Sequence, residues 1–172
     1  AVGKRIMEKG AATLKRLSMY VLRAKCKLSD ASAAWPLHGL AGPSADALLQ
    51  SALPAADWSS ATLGGAQVIR LPAVAGHSRY LWAGPDVPSL PPLPMQAWRW
   101  LEVCSGVPRV TAATVDQFVP QMLNLELLGG VNFKKGCYPG QEVVARSQYR
   151  GTLKRRTYLM ACDAPVAAGA EV

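Results

Sequence analysis

The run from Phe133 to Arg146, Phe-Lys-Lys-Gly-Cys-Tyr-Pro-Gly-Gln-Glu-Val-Val-Ala-Arg, leaves the backbone few choices. Gly136 and Gly140 let the chain turn tightly or approach a partner closely. Pro139 stiffens the stretch between Cys137 and Gly140. The start of such a segment is poor material for a core or a helix. From Gln141 to Tyr149 the residues can run as a helix, with Glu142 and Arg146 four apart on one face. The expected result is a thiol on a rigid turn at a helix N-terminus, behind Lys134 and Lys135. The positive end of the helix dipole and the two lysines would both favour a thiolate there. Cys137 is therefore the leading candidate for a working residue, as nucleophile or metal ligand. The alternative is that it packs under the turn, as free cysteines often do.

The remaining pattern mixes helix and strand without regular βαβ alternation, which argues for an α+β fold. Residues 4–17 have helical spacing, with Met7, Ala11 and Leu14 in one stripe. Residues 19–28 alternate as a strand, with Tyr20, Leu22, Ala24 and Cys26 on one side. Trp35 to Leu40 reads as a short strand interrupted by Pro36 and Gly39. A helix should follow Gly42-Pro43-Ser44 through Leu49, capped by Ser44, with Asp46 in its first turn. Gln67–Leu71 and Ser78–Ala83 read as paired strands. Five prolines make a loop of residues 84–94. Met95–Ser105 reads as a helix ended by Gly106, and Thr114 can cap a short turn before Phe118. Leu153–Ala161 reads as a strand opening a further module, and residues 168–172 as a turn leading into another strand.

Length and composition fit one domain or two small packed ones, with 50% apolar and 17% charged residues arguing against disorder. No apolar stretch reaches the roughly 18 residues that a membrane span needs. The basic start lacks the apolar core of a secretory signal. Cys26, Cys104, Cys137 and Cys162 are scattered, without the Cys-x2-Cys spacing of a zinc or cluster site. Reduced thiols and a cytoplasmic location are expected, with no membrane partner. The net charge of +8 is uneven: residues 1–27 carry +7, 28–133 carry −3, 134–156 carry +6 and 157–172 carry −2. Two basic segments around an acidic middle suit an anionic ligand tail, an acidic partner or RNA, or else a solvated face.

The segment Lys-Gly-Cys-Tyr-x-Gly-Gln-Glu-x-x-Ala-Arg, from Lys135 to Arg146, resembles the signature of the YgfZ family of folate-binding proteins. That family is related to the T-protein (aminomethyltransferase) of the glycine cleavage system. The likeness continues upstream through Phe118-Val119-Pro120-Gln121-Met122-Leu123-Asn124-Leu125, Gly129-Gly130-Val131 and Gly106-Val107-Pro108. It extends to Tyr20-Val21-Leu22-Arg23-Ala24-Lys25, similar to a late strand of the first folate-domain half. It is specific from about Gln117 to Arg156. The resemblance implies a T-protein-like folate-binding domain of paired α+β halves, followed by a C-terminal β-barrel. On that reading residues 1–30 end the first half, 31–150 form the second half with the Cys137 loop, and 151–172 begin the barrel. Family members begin earlier and end later, so the chain reads as an internal fragment.

The resemblance further implies a tetrahydrofolate-binding accessory protein that assists iron–sulfur cluster assembly or repair, including in tRNA-modifying enzymes. Expected partners are folate, iron–sulfur proteins or assembly factors, and tRNA or an acidic protein. Trp98 falls where the family has a tryptophan associated with folate, and a flat indole suits stacking on a pterin or aminobenzoate ring. The motif residues Lys135, Gly136, Tyr138, Gly140, Gln141, Glu142 and Arg146 would shape the loop that holds Cys137. One position departs from the T-protein pattern: a glutamate two residues before Gly106 is replaced by Cys104, and the nearest acid is Glu102. Two other readings stay open. One is a folate-dependent aminomethyl or one-carbon transferase. The other is an RNA-binding module using Arg150, Lys154, Arg155 and Arg156 beside Tyr149. His38 and His77 lie in distant segments and supply no cysteine–histidine pair.

Overall fold

The computed structural model describes residues 2–111, 114–151 and 153–167, with side chains from residue 10 onward. The Met7 position of the first helical stripe and the turn expected at 168–172 lie outside that description. The chain divides into two compact units, Ala1–Ser105 and Gly106–Val172. The first mixes helices with a four-stranded sheet, as the α+β expectation holds, and the second has helix and irregular structure among its described residues. Among the described residues no helix is long and apolar enough to cross a membrane.

The first unit is built on a four-stranded antiparallel sheet in the order β1-β4-β3-β2. Its strands are β1 (Leu37–Ala41), β2 (Ser60–Leu63), β3 (Ala66–Val74) and β4 (His77–Ala83). Two tight hairpins set the register. Gly64 and Gly65 take φ of 55° and 84° between the paired Leu63 and Ala66. Ala75 and Gly76 take 49° and 77° between Val74 and His77. Positive φ at both loop positions matches the twist of the flanking strands, and this suits glycine best. The Gly64-Gly65 pair is the sequence signal for β2, a strand that the periodicity reading does not anticipate.

Strand alternation sends Val68, Tyr80, Trp82 and Leu40 to one face of the sheet. There they pack with Ala45 and Leu49 of α2 (Pro43–Leu49) and with Leu53 to form the core. Gly42, not Ser44, is the N-cap of α2, and no side chain caps it. Asp46 in the first turn instead accepts a 2.9 Å hydrogen bond from the Tyr80 hydroxyl. Arg70 is buried on this face and fully employed. Its Nε donates to the Pro54 carbonyl at 2.8 Å, and its Nη2 donates to those of Gln50 and Leu53 at 3.1 and 3.4 Å. Its guanidinium also sits 5.3 Å from the Tyr80 ring centroid.

The opposite face carries α3 (Met95–Cys104), which follows the proline-rich loop as expected. Helix α1 (Val2–Ser18) precedes the sheet. The strand expected over residues 19–28 does not form. The amides of Met19, Tyr20 and Val21 fold back onto carbonyls of Arg16, Leu17 and Ser18, so the chain leaves α1 through turns. Tyr20 and Leu22 are exposed, and alternation without a partner strand makes no ladder.

The second unit contains a 3-10 turn, Pro120–Leu123, and α4, Gln141–Tyr149, whose bounds match the sequence expectation. Gln121 is fully buried and ties the two together, its Nε2 donating to the Val144 carbonyl at 2.7 Å. Thr114 closes a turn with Thr111, accepting the Thr111 amide on Oγ1 at 2.8 Å. No strand forms over residues 153–161. Thr157 docks instead on the 3-10 turn: its amide and its hydroxyl both donate to the Met122 carbonyl at 2.9 Å. Asn124 Nδ2 returns a bond to the Thr157 carbonyl at 2.8 Å. Side-chain bonds thus take the place of a sheet ladder.

Candidate functional site

The Cys137 loop is pinned at both ends. Asn132 opens it, its Oδ1 accepting the amides of Lys134 at 2.8 Å and Lys135 at 3.2 Å, an Asx-type turn. The Phe133 ring meets Tyr149 at the far end of α4 edge-on, with centroids 6.0 Å apart. The Lys135 ammonium lies 4.9 Å from the Tyr138 ring centroid, a cation–π contact. Tyr138 and Gln141 close the turn reciprocally. The Gln141 amide donates to the Tyr138 carbonyl at 3.1 Å, and Gln141 Oε1 accepts the Tyr138 amide at 3.3 Å. Gly140 is the N-cap of α4 with φ of 82°, a conformation that disfavours any other residue. Glu142 and Arg146 form the expected i, i+4 pair at 3.2 Å, with side chains 85% and 73% exposed.

The structure therefore gives Lys135, Tyr138, Gly140 and Gln141 identifiable parts in shaping the loop, whereas Glu142 and Arg146 pair with each other on the surface of α4. Gly136 differs. Its φ is not positive, and a Cβ built there would meet nothing within 4 Å. Neither strain nor crowding requires glycine, so its effect is to leave the flank of Cys137 bare. Cys137 itself is exposed and in no disulfide.

The basic cluster divides by role. Arg156 donates through Nη1 to Asn124 Oδ1 at 2.9 Å and to Glu126 Oε1 at 2.7 Å. Lys154 and Arg155 instead line a cleft of about 320 Å³ with Val119, Met122, Ser147 and Leu153.

In the first unit Trp98 is half-buried on the second face of the sheet. Its indole lies against Gly39 of β1, where a Cβ would come within 2.5 Å of the ring. It also covers Arg79 of β4, whose guanidinium carbon is 5.2 Å from the ring centroid. Arg79 is only 3% exposed, yet its Nε and Nη1 have no hydrogen-bond partner. Burial pulls its pKa down, and the charge of nearby Glu102 opposes that pull. Leaving a buried donor unpaired costs about 1–3 kcal/mol. The contrast with Arg70, through the same sheet, is direct. Nothing in the sequence pattern separates the two arginines; only the strand register places them on opposite faces.

Beside Trp98 an apolar cleft of about 240 Å³ opens between α3 and the ends of β1 and β4. Its walls include Ala41, Pro43, Leu93, Ala97, Trp100 and Leu101, with His77 at its rim. Trp100, rather than Trp98, faces this space. Cys104, at the position of the T-protein glutamate, is partly buried at the end of α3. No protein-family model matches the chain, and no solved structure matches it.

Proposed function

We propose that this protein is a YgfZ-like accessory factor that binds tetrahydrofolate and uses Cys137 in the assembly or repair of iron–sulfur clusters. One observation carries the reading: an exposed thiol stands on a loop whose shape is held by Lys135, Tyr138, Gly140 and Gln141, with Gly136 leaving its flank open. A thiol that exchanges sulfur or iron with a partner protein must be reachable and fixed in place, and this loop supplies both. The T-protein-like arrangement of folate-domain halves belongs to the same proposal. So do the folate contact at Trp98 and the tRNA-modifying enzymes among the clients.

The folate side rests on α3. The apolar cleft has room for a single ring system, such as a pterin or an aminobenzoyl group, and Trp100 lines it. A bound folate would bring the one-carbon chemistry; the chain would orient its rings and exclude water from them. Cys104 in place of a carboxylate favours an accessory role over aminomethyl transfer, since sulfur is a weaker hydrogen-bond partner for the pterin edge than a carboxylate.

The test is substitution of Cys137 by alanine in the full-length protein. Cells carrying it should lose activity of iron–sulfur enzymes that depend on this protein, while its circular dichroism and unfolding midpoint stay as in the wild type. Normal cluster-enzyme activity with Cys137→Ala would remove the assigned role. Calorimetry of tetrahydrofolate binding, repeated with Trp98→Phe, tests the folate half independently.

A further inference from the structure

We propose that Arg79 is the anion-holding group of a small-ligand site on the α3 face of the sheet, and that the ligand is an aromatic carboxylic acid of one ring. Three observations converge on it. Arg79 is buried with Nε and Nη1 unpartnered, whereas Arg70 on the other face meets three carbonyls. Buried guanidinium groups are ordinarily matched to acceptors, and a carboxylate is the acceptor whose geometry suits them best.

The apolar cleft lies directly alongside. Ala41, the cross-strand partner of Arg79, forms part of its floor, and His77, two residues before Arg79 on the same face, stands at its rim. Ala97 and Leu101, on either side of Trp98 along α3, form its wall. The cleft therefore offers a ring an apolar berth next to a cation with unmet donors.

The Trp98 indole covers the guanidinium in a cation–π contact, which a charge-assisted hydrogen bond to a carboxylate would outweigh. A ligand ring entering the cleft stacks near Trp100 while its acid group displaces the indole and accepts from Arg79 Nε–H at the edge of the guanidinium. The assignment does not depend on folate. The aminobenzoyl group of a folate is an amide and brings no acid to this point, so the ligand assigned is a free aromatic acid.

The experiment is a titration of the full-length protein with 4-aminobenzoate and with its neutral isostere 4-aminobenzamide, following the Arg79 Nε–H resonance and tryptophan fluorescence. The acid should bind at least tenfold more tightly than the amide and shift the Nε–H signal. Arg79→Met should weaken binding of the acid at least tenfold while leaving the amide unaffected. Removing an unpaired buried charge should also leave the unfolding midpoint unchanged or raise it. Should that variant fail to fold, the wild-type Nε–H shift decides alone. Equal binding of acid and amide, absence of binding up to millimolar acid, or an unmoved Nε–H signal would each overturn the proposal. Acid binding without tetrahydrofolate binding would keep this site and remove the folate reading. Tetrahydrofolate binding without binding of the acid would do the reverse.

Discussion

Gly39→Ala tests the packing of the α3 face. A Cβ at Gly39 would lie 2.5 Å from Cζ2 of Trp98 and 2.6 Å from Cε2 and Cη2. Carbon atoms pack at about 3.5–4.0 Å, so the indole must retreat by roughly 1 Å. Overpacking of this kind costs about 1–3 kcal/mol. Gly39 lacks a positive φ, so alanine fits its backbone and regains about 0.4–1 kcal/mol from the less flexible unfolded chain. The balance is a loss of about 1–2 kcal/mol. With a urea m-value near 2 kcal/mol per M, the midpoint should fall by about 0.5–1 M. The decisive measurement is the double-mutant cycle with Trp98→Ala. In that background the indole is gone, and Gly39→Ala should be neutral or slightly stabilising. An equal loss in both backgrounds would show that Trp98 does not rest on Gly39, and the described sheet–helix packing would be wrong.

Tyr80 makes the first unit sensitive to alkali. Burial, then its bond to Asp46, raises its pKa above the ordinary 10.0. The folded state thus holds a proton that the unfolded chain releases, so stability is full below pH 10 and falls as pH rises above it. Urea midpoints between pH 9 and 11 should decline in the wild type and flatten in Tyr80→Phe; parallel slopes would refute the assignment. Gln121→Ala removes the buried bond to the Val144 carbonyl and opens a cavity, so the second unit should lose about 1–3 kcal/mol, read as faster amide exchange across α4. Arg156→Ala strands the nearly buried Glu126 carboxylate, whereas Glu142→Ala breaks a pair in open solvent. The first should cost about 1–3 kcal/mol and the second no more than a few tenths, a ranking that thermal melts would invert if burial did not govern the pairs.

Local chemistry made α2, α3 and α4 legible in the sequence. Each begins at a proline or glycine and has helical spacing behind it, and α4 follows Gly140 without displacement. The β3–β4 hairpin was legible in its alternation, though the strands run closer together than their hydrophobic cores suggest. Two expected strands failed for a shared reason. Residues 19–28 and 153–161 carry the period of a strand, but a ladder also needs a partner, and period says nothing of partners. The Cys137 loop was readable because its turn residues act within a few positions of one another. Arg79 was not, because its isolation depends on pairing with Ala41 and on an indole brought from α3, and neither is encoded nearby.

The two tight hairpins also bear on the order of assembly. Strands β2, β3 and β4 can zip together across two-residue loops, each closing at small entropic cost. Strand β1 can add only after α2 and the whole meander lie between it and its partner β4. The hypothesis that follows is a polarised folding transition state: substitutions such as Val68→Ala should slow folding, while Leu40→Ala should chiefly speed unfolding. Similar φ-values at both positions would dismiss it. Because Gly39 arrives with β1, the second face of the sheet would then be finished last, and its helix would be the first element released when the domain breathes.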